Sequence, residues 1–160
     1  MEITVIFGSN TGQKKQLIEE AICRLARIAG PISKASSYYE TEPWGFTCEE
    51  SFLNRVVVFN SRLEPENFLT EALEIEKQLG RVRHPEQRYE SRTIDIDILF
   101  CGSLLIDTPE LMIPHPRLAE RNFVLTPLNE IMPDFEHPLL HRKISALLLQ
   151  SPDKLSVKKV

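Results

Sequence analysis

The residues of this chain best placed to do chemistry are two aspartates, Asp95 and Asp97. They stand in the run Arg92-Thr93-Ile94-Asp95-Ile96-Asp97-Ile98-Leu99-Phe100. Alternation of apolar and polar residues predicts a strand here. Side chains two apart on a strand share a face, so Ile94, Ile96 and Ile98 point one way and the aspartates the other. Like charges on neighbouring positions repel. Water relieves that cost, and so does a divalent cation between them. Arg92 enters just ahead of the pair, and a guanidinium for phosphate beside carboxylates for a metal suits a nucleotide site. Two readings stand: a metal and phosphate site, or a strand with one solvated face.

Other residues are open to the same double reading. Arg81, Arg83, His84, Arg88 and Arg92 form the densest cationic stretch, diluted by Glu86 and Glu90. A charge run of this kind fits a solvated loop. Because it ends at the aspartate strand, it also fits a polyphosphate, which needs both metal and guanidinium neutralisation. Phe52 and Asn54 share one face of another predicted strand. A ring that stacks and an amide that offers donor and acceptor suit a flat heterocycle, and a core Phe beside a surface Asn is the alternative. Gly8-Ser9-Asn10-Thr11-Gly12 joins a strand to a helix, where backbone N–H groups can hold a phosphate. It lacks the Gly-Lys-Ser/Thr ending of a Walker loop. His115 and Arg121 add two candidate phosphate donors.

The elements that must position these groups follow in order. Ile3 to Phe7 reads as a strand. A helix follows, with Leu17, Ile18, Ala21, Ile22, Leu25 and Ile28 at helical spacing, and Gly30-Pro31 stops it. Ile32 to Thr41 and Phe52 to Phe59 read as consecutive strands. Pro65 opens a second helix with Phe68, Leu69, Ala72, Ile75 and Leu79 on its apolar face, and Gly80 closes it. A polar loop, Gly80 to Ser91, leads into the aspartate strand and is expected to close over bound substrate. More helix is expected around Arg117 to Arg121 and Ile144 to Leu149. The order βαββαβ is the split-βαβ pattern of ferredoxin-like folds. The predicted class is α+β: an antiparallel sheet with both main helices on one face and C-terminal helices on the other, in three layers α-β-α.

Bulk properties narrow the function. The 160 residues fit a single domain, 1–160. A net charge of −4 argues against nucleic acid as a partner. No apolar run spans a bilayer, so no membrane partner is expected. Met1 leads almost directly into the first strand, without the parts of a signal peptide, so a cytoplasmic location is expected. Cys23, Cys48 and Cys101 are odd in number and lack metal-ligand spacing, which argues against disulfides and zinc. Cys23 and Cys101 read as small core residues.

The Gly8 to Gly12 turn resembles the phosphate loop of flavodoxins. Two consecutive strands after the first helix, and Lys14 in the loop, speak against that family. A second resemblance covers nearly the whole chain. The Arg92 to Leu99 run is similar to the signature of the 6-hydroxymethyl-7,8-dihydropterin pyrophosphokinases of folate biosynthesis. Gly8-Ser9-Asn10, Tyr39-Glu40-Thr41 with Pro43 and Gly45, and Phe52-Leu53-Asn54 recur in order. So do Glu76 with Gly80-Arg81-Val82-Arg83, Ile113 to Arg117, Arg121 to Leu125 and Pro127-Leu128. The resemblance implies Mg²⁺-dependent pyrophosphate transfer from ATP to the pterin by a monomer. It implies that Asp95 and Asp97 hold two Mg²⁺ ions and that Arg81 and Arg92 act with them in catalysis. Glu76, Arg83, Arg88, Arg92, Ile98, His115 and Arg121 would contact ATP. Gly8, Thr41, Pro43, Trp44, Phe52, Asn54, Tyr89 and Phe123 would form the pterin pocket, with Phe52 and Phe123 on the two faces of the ring. The chain departs from the family pattern at Glu90-Ser91, where a Gly-Pro pair is common.

Overall fold

The computed structural model of the protein describes residues 1–41, 51–80 and 94–160. Strand β1 (Glu2–Ser9), buried along almost all of its length, lies inside a six-stranded sheet. On one side it pairs with β5 (Asp95–Cys101), and on the other with β4 (Phe52–Asn60). Strand β4 also pairs with β2 (Ile32–Ala35) and β3 (Tyr39–Thr41), and β8 (Val157–Lys159) joins β3. Every one of these pairings is antiparallel. Strand β4 therefore lies between β1 and the β2–β3 pair, which splits the first βαβ unit as the element order predicts.

Two helices cover the first face. Helix α1 (Lys14–Ala29) buries Ile18, Ala21, Ile22, Leu25 and Ala29, the i, i+3, i+4, i+7 stripe of an amphipathic helix. Gly30 ends it, and no other residue fits there: its φ is +141° and an added Cβ would lie 2.1 Å from the Asn60 carbonyl oxygen. Helix α2 (Pro65–Gln78) has proline in its first turn and faces the sheet with Phe68, Ala72 and Ile75. The Phe7, Phe59 and Phe68 rings pack in a row beneath them at tilted and edge-to-face angles, with centroids 6.2 and 5.7 Å apart. Ile94, Ile96, Ile98 and Cys101 belong to this core. Burial pushes the Cys101 thiol up to about 12, with Glu66 adding to the shift, so it remains an inert core residue.

The second face carries a smaller core. A 3₁₀ turn (Leu118–Glu120), α3 (Asn122–Ile131) and α4 (Ile144–Leu149) place Leu118, Val124, Leu125, Leu128, Ile144 and Leu147 over Ile6, Val56, Leu99 and Phe100. Helices on both faces of an antiparallel sheet give the expected α+β architecture. A small hairpin, β6 (Ile106–Asp107) with β7 (Met112–Ile113), leads from β5 towards the 3₁₀ turn. No helix among the described residues is long and apolar enough to cross a membrane.

Several expectations need correction. The strand predicted over Ile32 to Thr41 is broken between β2 and β3. Ser36 causes the break: its hydroxyl replaces a backbone carbonyl and accepts the Val56 N–H at 3.0 Å. Ser37 then turns its N–H to Glu130 on α3. The helix expected at Arg117 to Arg121 is only the 3₁₀ turn, and the real helix begins at Asn122. Pro127 hides it in the sequence, because proline inside a periodic run normally ends a helix. Cys23 is exposed rather than in the core, and Ile28 is 40 % exposed, because both point away from the sheet.

Candidate active site

Register brings the predicted residues together. Asp95 of β5, Gly8 of β1 and Asn54 of β4 stand opposite one another in one row, which Tyr39 of β3 continues. Asp97, Ile6 and Val56 form the neighbouring row. Directly opposed residues share a face. Because Ile6 and Val56 lie in the α3–α4 core, both rows belong to the second face. Strands lie about 4.8 Å apart, so the backbones of Asp95 and Asn54 are about 10 Å apart with Gly8 between them.

Gly8 is what keeps that row open. A Cβ there would sit 2.6 Å from Asn54 Oδ1. The amide oxygen therefore occupies the space that a side chain would take. Asn54 is buried, and its Nδ2 has no hydrogen-bond partner among the described residues. Such an orphan donor costs about 1–3 kcal/mol, a cost that a ligand acceptor would remove. Phe52 follows Asn54 along the same face, half-buried and paired with Thr41. The Thr41 hydroxyl donates to the Ser156 carbonyl at 3.3 Å.

The remaining walls come from the chain after β5. Between β1 and β5 the register shifts: Thr4 faces Phe100 while Val5 faces Ile98, so Leu99 is an extra residue. The bulge turns both Leu99 and Phe100 into the second core. The His115 N–H donates to the Leu99 carbonyl at 3.0 Å, which anchors His115 beside β5. Burial holds the His115 imidazole below its usual pKa, Arg121 and Arg117 add to this, and Asp95 opposes it. His115 thus sits within electrostatic reach of both Asp95 and Arg121. At the start of α3 the Arg121 guanidinium lies 5.6 Å over the Phe123 ring. Between these two, the Asn122 N–H donates to Asp153 Oδ2 at 2.8 Å, and its side chain donates to the Asp153 carbonyl at 3.2 Å.

Two predicted residues lie elsewhere. Ile98 is packed in the first core. Glu76 is buried on α2, and its Oε2 accepts the Ile96 N–H at 2.7 Å. Glu76 therefore grips the β5 backbone between the two aspartates, from the side opposite their carboxylates. Pro43, Trp44, Arg81, Arg83, Arg88, Tyr89 and Arg92 fall outside the described residues, as does nearly all of the expected Gly80 to Ser91 closing loop.

The sequence that builds the Asp95–Gly8–Asn54 row matches a known family. The sequence model of 7,8-dihydro-6-hydroxymethylpterin-pyrophosphokinase matches residues 4–133. The chain belongs to this family. It is 40 % identical over 133 residues to a 2-amino-4-hydroxy-6-hydroxymethyldihydropteridine pyrophosphokinase of Porphyromonas gingivalis, covering 82 % of this chain and 90 % of the relative. A Bacillus subtilis protein of the same name is also 40 % identical over 133 residues, covering 82 % and 78 %. The Dictyostelium discoideum folic acid synthesis protein FOL1 is 38 % identical over 94 % of this chain, which spans 22 % of that longer protein. Among solved structures, the HPPK-DHPS of Plasmodium falciparum with pteroate superimposes with a TM-score of 0.76 at 19 % identity. That match covers 93 % of this chain and 42 % of the Plasmodium chain, so this chain spans about two fifths of that structure. At that identity the likeness concerns the fold.

The chemistry of Asp95 and Asp97 fits a hard cation. Asp95 and Asp97 offer carboxylate oxygens on one face of β5, and both are half-buried. Among the described residues, no group of three or more His, Cys, Asp or Glu side chains gathers to hold a metal. Mg²⁺ suits so sparse a set, since it keeps several waters and takes phosphate oxygens as ligands. The sequence reading missed the groups that hold these residues in place: the Leu99 bulge, Glu130 and Asp153. Leu99 carries no local signal, because a bulge is defined by its partner strand. Asp153, after Ser151-Pro152, carries the weak signal of a turn former.

Proposed function

We propose that the chain transfers pyrophosphate from ATP to the hydroxymethyl group of 6-hydroxymethyl-7,8-dihydropterin, giving AMP and the pterin diphosphate for folate biosynthesis. One observation carries this reading: Asp95 and Asn54 flank the bare backbone of Gly8 in a single row. A substrate with a phosphate-accepting arm on a flat ring spans such a row, its arm towards the aspartates and its ring against the amide.

Each residue then has a task. Asn54 offers an amide edge to the pterin, and its orphan Nδ2 gains an acceptor there. Phe52 and Phe123 stack on the two faces of the ring. Gly8 and Thr41 belong to the same pocket on this reading, and the sequence resemblance assigns Pro43, Trp44 and Tyr89 to the pterin as well. Asp95 and Asp97 would hold two Mg²⁺ ions, which when bound would neutralise the phosphate charge. His115 and Arg121 lie on the phosphate side, with Arg81, Arg83, Arg88 and Arg92 as further cationic contacts. Glu76 keeps the aspartate strand in register, and Ile98 backs it. The pterin hydroxyl oxygen bonds to the β-phosphorus of ATP. The bond from that phosphorus to the α–β bridging oxygen breaks, AMP leaves with the oxygen, and the hydroxyl proton passes to solvent. The protein contributes alignment of the attacking oxygen and electrostatic stabilisation of the moving phosphates.

The test is a product assay. The protein with ATP, Mg²⁺ and the pterin should release AMP in step with pterin consumption. Stoichiometric ADP would make it a simple kinase and overturn the proposal.

A further inference from the structure

Arg121, the N-cap, and Phe123, in the first turn of α3, lie two residues apart, and Asn122 between them is held from outside that stretch. The Asp153 carboxylate is bonded at both oxygens. Oδ2 accepts the Asn122 N–H at 2.8 Å, and Oδ1 accepts the Leu155 N–H at 3.0 Å. Its backbone carbonyl takes the Asn122 side-chain amide at 3.2 Å. Helix α3 has no side-chain cap of its own, because its N-cap residue is Arg121. Asp153 thus supplies the missing cap from a distant part of the chain, with a negative charge at the positive end of the helix. It lies beyond residues 4–133, the span the family model matches.

The same tail reaches the other wall. Three residues on, the Ser156 carbonyl accepts the Thr41 hydroxyl, and β8 pairs with β3 so that Val157 faces Thr41. Residues 153 to 157 therefore connect the Arg121–Phe123 wall with the Thr41–Phe52 wall. We propose that Asp153 is a positioning residue of the site: by fixing Asn122 it aims Phe123 at the pterin ring and Arg121 at the phosphates. This rests on the pyrophosphoryl-transfer reading and adds to it a residue that touches neither substrate.

The experiment compares Asp153→Ala and Asp153→Asn with the unmodified chain. The Asn variant retains one carbonyl acceptor where Asp153 uses two. In steady-state assays at matched folded concentration, Asp153→Ala should raise the KM for the pterin about three- to tenfold. Asp153→Asn should fall between Ala and the unmodified chain. Hydrogen exchange at the amides of residues 122–125 should quicken in Asp153→Ala, while amides of α2 stay unchanged. A residue that served stability alone would lower the melting temperature and leave the KM of the folded enzyme untouched. An unchanged KM, or unchanged exchange at the start of α3, overturns the proposal. If Asp153→Ala does not fold, the same two readouts on Asp153→Asn decide it. If the unmodified chain releases no AMP, the transfer reading fails by itself, and the exchange measurement still decides whether Asp153 orders the Arg121–Phe123 stretch.

Discussion

The two faces of the sheet are built to different rules. The first face is apolar over its central strands: Ile3, Val5, Phe7, Val57, Phe59, Ile96 and Ile98 meet α1 and α2 in one continuous cluster. Glu76 is a buried polar residue on that side, and its bond to the Ile96 N–H ties α2 to β5. The second face is divided. Under α3 and α4 it is apolar. At the other end of the strands it carries Gly8, Asn54, Phe52, Asp95 and Asp97. The orphan Asn54 Nδ2 adds nothing to folding there, since a buried donor without a partner costs stability. The first face holds the larger core and the second the smaller one. The second is free to hold groups chosen for a ligand.

Breaking the half proposed to bind metal should give the largest effect. Asp97→Asn and Asp95→Asn preserve size and remove a negative ligand. Each should lower turnover by roughly a thousandfold, about 4 kcal/mol of transition-state stabilisation. Circular dichroism and the first-face core should be unchanged, and the pterin should still bind by calorimetry. Turnover close to that of the unmodified chain would make the aspartates a merely solvated strand face and dissolve the contrast between the two faces.

The comparison sharpens with one substitution on each face of neighbouring strands. Phe59→Ala empties the centre of the Phe7–Phe59–Phe68 row and should cost about 3–5 kcal/mol of stability in denaturant melts. The pterin affinity of the protein that remains folded should not move. Gly8→Ala should do the reverse. Its Cβ collides with Asn54 Oδ1, the end of a side chain, so the amide is displaced while the strand survives. Pterin affinity should fall about tenfold, near the worth of one well-placed hydrogen bond, about 1.4 kcal/mol, with the melting temperature little changed. If Phe59→Ala weakened pterin binding as much as Gly8→Ala does, the faces would not be separable.

The first face was legible in the sequence and the second was only half so. Period-two strands and period-3.6 helices mark one buried side directly, and residues such as Phe68, Ala72 and Ile75 fall where the pattern puts them. Asp95, Asp97, Phe52 and Asn54 were also readable, since two-residue spacing alone assigns them to one face. Which strands bring them together was not. The Asp95–Gly8–Asn54 row depends on register, and register comes from pairings between residues far apart in sequence. Helix α3 was hidden for another reason. Its Pro127 contradicts local propensity, and only burial against Ile6 and Val56 explains why the helix continues through it. Ile28 failed in the opposite way, as an apolar residue at helical spacing that the sheet does not reach.

The smallest effect is expected at the tie between the faces of the site and the far end of α3. Tyr39 continues the Gly8–Asn54 row, and its hydroxyl donates to Glu130 Oε1 at 2.8 Å. Glu130 also accepts the Ser37 N–H at 2.9 Å and the Ser37 hydroxyl at 2.8 Å. Burial alone would raise the Glu130 carboxyl, but the bonds from Ser37 and Tyr39, with Lys159 nearby, outweigh it and leave the pKa below the usual value. The same pairing works the other way on the phenol: burial first, then Glu130, pushes Tyr39 up to about 12. A raised folded pKa gives stability that is complete below the ordinary value of 10.0 and is lost as pH rises through about 12. The lowered Glu130 pKa gives stability present above 4.5 and lost as pH falls through its folded value. Tyr39→Phe should cost about 1 kcal/mol at neutral pH. It should flatten the alkaline loss relative to the unmodified chain, in which Cys101 still contributes the same slope. It should also weaken the acid limb, because Glu130 loses one donor. Turnover and pterin affinity should stay within about twofold, less than 0.5 kcal/mol, since Asn54 and Phe52 keep their places. A tenfold loss of pterin affinity in Tyr39→Phe would show that the tie between β3 and α3 shapes the pocket itself. The second face would then be one cooperative unit rather than a ligand site resting beside a small core.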